Sequence, residues 1–216
     1  MTFKVRLLLG AAAPFMFAMP ALAQVSITTA TTTPVRTATA NSGAASDVTI
    51  TSTGSVTLTG AAANSAAVTI DSNNSVTNSG TISTVDSNDS VGVRIAPNTT
   101  GNFTNNSIIS LSEAYVRTDT DNDKDLDGPL AQGTTRIGVL VQSGGAMTGN
   151  LVVGGTLSVN GNNSSGVSIQ SDLNGTYNQT GSITVVGSNA AALDIRENVT
   201  GDVRLSGAML GRGENS

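Results

Sequence analysis

The stretch Gly155-Thr-Leu-Ser-Val-Asn-Gly-Asn-Asn-Ser-Ser-Gly-Val-Ser-Ile169 is answered, one repeat further along the chain, by Gly181-Ser-Ile-Thr-Val-Val-Gly-Ser-Asn-Ala-Ala-Ala-Leu-Asp-Ile195. Leu157 and Val159 correspond to Ile183 and Val185, and Val167 and Ile169 correspond to Leu193 and Ile195. Working outward, Gly54, Gly80, Gly155, Gly181 and Gly207 open segments of the same kind, with intervals of 26 from Gly54 to Gly80 and between each of the last three. A further start fits at Ser107, one position beyond a full interval from Gly80, and the interval from Ser107 to Gly155 is one period plus an insertion of 22. A fixed period of this length predicts a stacked, quasi-one-dimensional fold.

The interior of the repeat is legible too. Two residues after each start stands an apolar side chain (Val56, Ile82, Ile109, Leu157, Ile183, Met209), often with another two residues on (Leu58, Leu111, Val159, Val185). A second alternating pair follows: Val68 and Ile70, Val93 and Ile95, Val139 and Val141, Val167 and Ile169, Leu193 and Ile195. A weaker third set precedes the next start, at Val76, Phe103, Leu151 with Val153, Tyr177, and Val203 with Leu205. Alternation with period two in short runs between Gly, Asn and Ser reads as strands with one buried face. Three such strands per repeat predict an all-β chain, a right-handed parallel β-helix with rungs of about 26 residues. One rung cannot bury its own apolar face, so stability comes from stacking. Asn73, Asn74, Asn88, Asn162, Asn163 and Asn189 fall at the corners, where Asn tolerates left-handed backbone and where stacked amides can bond along the helix.

Composition agrees with a thin core. The 216 residues include 3% aromatics and no Trp, Cys or His, so the interior must be filled by Val, Ile and Leu. Low-complexity disorder has no reason to hold a repeat phase from residue 54 to residue 207.

Residues 1–23 are expected to be a signal peptide: Lys4 and Arg6 precede an apolar run from Leu7 to Met19, and Ala21-Leu22-Ala23 offers small residues for cleavage before Gln24. Removing Lys4 and Arg6 leaves eight basic against fifteen acidic residues, a net charge of −7, and no basic stripe for nucleic acid. Residues 24–53, rich in Thr, Ala and Ser, read either as a leader or as a capping rung; residues 54–216 carry the rungs.

The insertion, about residues 113–134, is where chemistry could concentrate. It holds Asp119, Asp121, Asp123, Asp125 and Asp127 at two-residue spacing, followed by Gly128 and Pro129. Alternate carboxylates on a looped backbone can converge on a hard cation, which makes Asp121, Asp123, Asp125 and Asp127 candidate calcium ligands with Gly128 closing the turn. Counted from Asp119 or Asp121, the sixth position is Lys124 or Leu126 where an EF-hand needs Gly, and no Glu closes either loop. The competing reading is a solvated acidic loop. Elsewhere the charges are isolated: Arg94 and Arg196 stand three rungs apart, and Asp194 with Arg196 and Asp202 with Arg204 read as exposed pairs. No catalysis is expected, since a triad or metalloprotease motif needs His or Cys.

Leader, Thr- and Asn-rich start and β-helical repeats together resemble the amino-terminal part of an autotransporter passenger, the type V secreted proteins of Gram-negative bacteria. The stretch from Thr118 to Gly133 is similar to segments of such proteins in sphingomonad-type α-proteobacteria. The resemblance implies a surface structural or adhesive role, carriage by a carboxy-terminal β-barrel translocator, and contact with surface polysaccharide or a neighbouring cell. After Gly207 the chain carries no barrel-like strands, so the barrel is a missing partner, and without it the expected location is periplasmic. An uncapped last rung is expected to favour end-to-end association. The alternative readings are a fragment of a carbohydrate-active β-helix enzyme and a secreted calcium-dependent matrix protein.

Overall fold

The computed structural model describes residues 24–216, so the expected signal peptide lies outside the described residues. The chain forms a parallel β-helix with three long sheets, two of seven strands and one of six, each taking at most one strand from a rung. The first sheet stacks Gln24–Ile27, Asp47–Ile50, Val76–Asn78, Phe103–Asn105, Leu151–Val153, Tyr177–Gln179 and Val203–Leu205. The second stacks Ala30–Thr31, Ser55–Thr59, Thr81–Val85, Ile108–Ser112, Thr156–Asn160, Ser182–Val186 and Met209–Arg212. The third stacks Val35–Arg36, Ala66–Ile70, Val91–Ile95, Ile137–Val141, Ser165–Ile169 and Ala191–Ile195. A short fourth pair, Met147–Thr148 with Leu173–Asn174, extends one corner.

Register follows the repeat. Val56, Ile82, Ile109, Leu157, Ile183 and Met209 form one column of the second sheet. Val68, Val93, Val139, Val167 and Leu193 form one of the third. These side chains are fully buried through most of the stack, and the first column ends exposed: Ile183 is 1% exposed while Met209, one rung on, is 40% exposed. Each buried aliphatic side chain contributes about 1.5–3 kcal/mol, and the neighbouring rungs supply much of the covering surface.

The opening glycines are required by contact, not by conformation, for none of the five has a left-handed φ. A Cβ on Gly181 would lie 1.9 Å from the carbonyl oxygen of Gly155, and one on Gly207 would lie 1.8 Å from that of Gly181. Two rungs meet backbone to backbone there, and any side chain pushes them apart.

Corners use asparagine in two ways. Two residues before each third-sheet strand from Ala66 onward stands a left-handed residue: Asn64, Asp89, Thr135, Asn163 and Asn189, with Asn215 continuing the column. Asn189 Nδ2 donates to Asn163 Oδ1 at 3.2 Å and Asn215 Nδ2 to Asn189 Oδ1 at 3.3 Å, a ladder along the corner. Asn73, Asn88 and Asn162 instead lend side-chain oxygens to the backbone N–H of Thr100, Thr134 and Ser188 on a neighbouring rung.

The turn from first to second strand needs polar groups inside. Asn78, Asn105 and Gln179 are inaccessible to solvent. Asn78 Nδ2 donates to Asn105 Oδ1 at 2.7 Å, Asn105 Nδ2 to Ser107 O at 3.1 Å, and Gln179 Nε2 to Gly181 O at 2.6 Å. They satisfy backbone groups that the corner leaves out of the ladders.

Residues 24–36 build a rung with strands of only two to four residues, joined through turns to Asp47–Ile50. Val48 and Ile50 are 1% and 0% exposed. Asp71 anchors this end: its carboxylate accepts from the Ala38 N–H at 2.9 Å and pairs with Arg36 at 2.5 Å.

Candidate functional site

The insertion leaves the helix after Ile108–Ser112 and returns at Ile137–Val141, so the whole segment 113–136 spans a corner that segment 161–164 spans on the next rung. The remaining two residues of the excess lie at 142–146, where five residues replace the three at 170–172. The sequence spacing located the excess but not this division.

A buried ion pair closes the neck. Glu113 Oε1 accepts from the Gln132 N–H at 2.8 Å and Oε2 from the Gly133 N–H at 2.5 Å, which joins the start of the excursion to its end. Arg136 Nη1 donates to Glu113 Oε2 at 3.3 Å, and the two side chains are 2% and 5% exposed. The same guanidinium reaches the rungs on either side, donating to Ser87 O at 2.8 Å and to Asn160 O at 2.5 Å. Gly133 lies against it, where a Cβ would come within 2.3 Å of the guanidinium. Sequence reading missed Arg136 and Glu113; a lone Arg and a lone Glu at the two ends of an insertion were the signal available.

Beyond the neck the loop folds back through an antiparallel bridge between Thr118 and Asp127. This brings one carboxylate oxygen each of Asp119, Asp121 and Asp127 within 4.8 Å of one another. Asp123 and Asp125 stand outside that group, although both were in the sequence-derived quartet with Asp121 and Asp127. Asp119 joins instead, because the bridge pairs its neighbour Thr118 with Asp127. The Asp123 carboxylate accepts from the Asp125 N–H at 3.0 Å, a local turn at the tip. Asp119 accepts from the N–H groups of Asn122 and Lys124 at 2.7 and 3.0 Å. Asp127 Oδ2 accepts from the Thr120 hydroxyl and N–H at 2.5 and 2.7 Å. The Thr120 hydroxyl bond, then its N–H, holds the Asp127 carboxyl below its ordinary pKa.

Such a group can chelate a divalent cation through hard oxygens. Counting from Asp123 puts Gly128, with φ of +87°, at the sixth position of an EF-hand-like phase, but the twelfth is Thr134, which has no carboxylate to close it.

Charges on the regular rungs are separated as the spacing suggested. Arg94 is in register with Leu140, which leads through Ser168 to Asp194 three rungs on. Arg196 pairs with Asp194 at 2.7 Å and Arg204 with Asp202 at 2.5 Å, both arginines well exposed. The Asp194 hydrogen bond raises the Arg196 pKa further above its ordinary value. Among the described residues no helix is long and apolar enough to cross a membrane. No family model, curated protein or solved structure matches the chain.

Proposed function

We propose that the chain is an exported, surface-presented β-helical stalk of autotransporter-passenger type, structural or adhesive and without catalysis. The observation that carries this reading is the uniform stack: successive rungs in register present continuous outer columns of short polar side chains, such as Thr57, Ser83, Ser110, Ser158 and Thr184. Repeated shallow faces favour weak contacts multiplied along a length, which suits adhesion to a polysaccharide or a cell surface. The signal-peptide pattern of residues 1–23 supports export. A fragment of a carbohydrate-active β-helix enzyme is the alternative on the same scaffold. Protease shaving and antibody labelling of intact cells of the source organism test the proposal. Surface-exposed chain beginning at Gln24 supports it, and chain confined to the cytoplasm with residues 1–23 retained refutes it.

A second reading rests on the converging Asp119, Asp121 and Asp127 oxygens: the insertion takes calcium from the extracellular medium, with a dissociation constant of about 10⁻⁴–10⁻³ M. Calcium suits such a group better than magnesium, because calcium accepts oxygen ligands in variable geometry whereas magnesium demands a near-ideal octahedron.

A further inference from the structure

The third sheet carries an apolar cluster on its outer face, distinct from the core. Ala66, Val91 and Leu140 are 7%, 5% and 7% exposed, with Ile137 packed against them. Beside them a groove of about 320 Å³ is lined also by Asn64, Asp89 and Arg94. Arg94 forms no ion pair among the described residues. Its guanidinium donates to Asn64 O at 2.9 Å, while its Nε is buried without a hydrogen-bond partner. A cation over an apolar wall, without an ion-pair partner, is complementary to an anion that also has an apolar face. Asp89 lines the same groove without pairing to Arg94, so its oxygens remain as acceptors for hydroxyl groups. A sugar acid is an anion that carries both a C–H face and hydroxyls.

We propose that this groove is a subsite for an acidic saccharide, with a uronate carboxylate on the Arg94 guanidinium, ring hydroxyls on Asp89, and the ring's C–H face on Val91, Ile137 and Leu140. The inference rests on the adhesive reading above and names its ligand class. Desolvation, followed by the nearby charge of Arg36, lowers the Arg94 pKa, the direction a bound carboxylate would reverse.

The test is titration calorimetry of the full chain with trigalacturonate, neutral galactotriose and triglutamate. The expected result is millimolar binding of trigalacturonate, weakened roughly tenfold or more by Arg94→Gln and by the neutral sugar, with triglutamate roughly tenfold weaker as well. Arg94→Lys, which keeps the charge and loses the planar fork, should fall between native and Arg94→Gln, and serves if Arg94→Gln lowers the melting temperature. The proposal is overturned by absence of trigalacturonate binding at about 10 mM, by equal binding in Arg94→Lys and Arg94→Gln, or by triglutamate binding as tightly as the saccharide, which would mark a peptide or general anion site. Surface display is read by cell shaving and does not depend on Arg94, so a negative titration removes the subsite and leaves the stalk reading standing.

Discussion

Replacing Glu113 with Ala should be among the most damaging single changes outside the aliphatic core. It leaves the Arg136 guanidinium, 2% exposed, without its counter-charge, and strips the acceptor from the Gln132 and Gly133 N–H groups. Breaking one side of a buried pair costs about 3–5 kcal/mol, and each orphaned N–H about 1 kcal/mol. The neck borders an open polar basin of about 360 Å³, through which water reaches the freed N–H groups. The net expectation is therefore a loss of about 3–4 kcal/mol, with the basin offsetting the two orphaned donors. Urea unfolding followed by circular dichroism measures it. Limited trypsin digestion reports the local consequence, since Arg117 and Lys124 lie in the excursion that the pair closes. The double variant Glu113→Ala with Arg136→Met should cost less than the sum of the single changes, because the methionine removes the stranded charge. A Glu113→Ala chain within about 1 kcal/mol of the native one, with native-like resistance to trypsin, would refute a closing role for this pair.

Tyr177 is inaccessible and its hydroxyl has no partner, while burial raises its pKa; Tyr177→Phe should stabilise by about 1 kcal/mol, and a lower melting temperature would expose a hidden partner. Gly181→Ala forces a methyl to 1.9 Å from Gly155 O and should cost more than about 2 kcal/mol in urea unfolding. Thr135 is the β-branched member of the left-handed corner column, so Thr135→Asn should raise stability by about 1 kcal/mol, and unchanged or reduced stability in the same assay would count against strain there. For the insertion, calorimetry should show calcium binding abolished by Asp121→Asn with Asp127→Asn and little changed by Asp123→Asn with Asp125→Asn; the opposite ranking would mean that the tip carboxylates hold the ion. Asp127 titrates below an ordinary carboxylate, so what it contributes to loop order is complete above about pH 4 and is lost as pH falls through the depressed value.

The fold was legible because stacking imposes one steric demand at the same place on every rung. Gly181 must lack a side chain because Gly155 lies beneath it, and Gly207 because of Gly181, so the glycine recurs with the rung length. Leu157 and Ile183 are apolar because each covers the other, and the alternation of strand faces writes that into a period of two. The rung at 24–36 is harder to read, since strands such as Ala30–Thr31 are too short to alternate. Asn78, Asn105 and Gln179 stand outside the apolar pattern that the sequence offers, yet lie inside because the corner's unpaired backbone groups point inward.

The insertion divides along the same line. Its acidic character was plain at regular two-residue spacing, but spacing alone pointed to the run Asp121, Asp123, Asp125 and Asp127. The Thr118–Asp127 bridge decides that Asp119, Asp121 and Asp127 converge while Asp123 and Asp125 turn back on the tip. The neck is further still from the string: Arg136 meets Ser87 on the rung before it and Asn160 on the rung after it. A repeat reports contacts that every rung must make, whereas a contact made once, between segments brought together only by the winding of the helix, leaves no periodic trace and is set by tertiary structure alone.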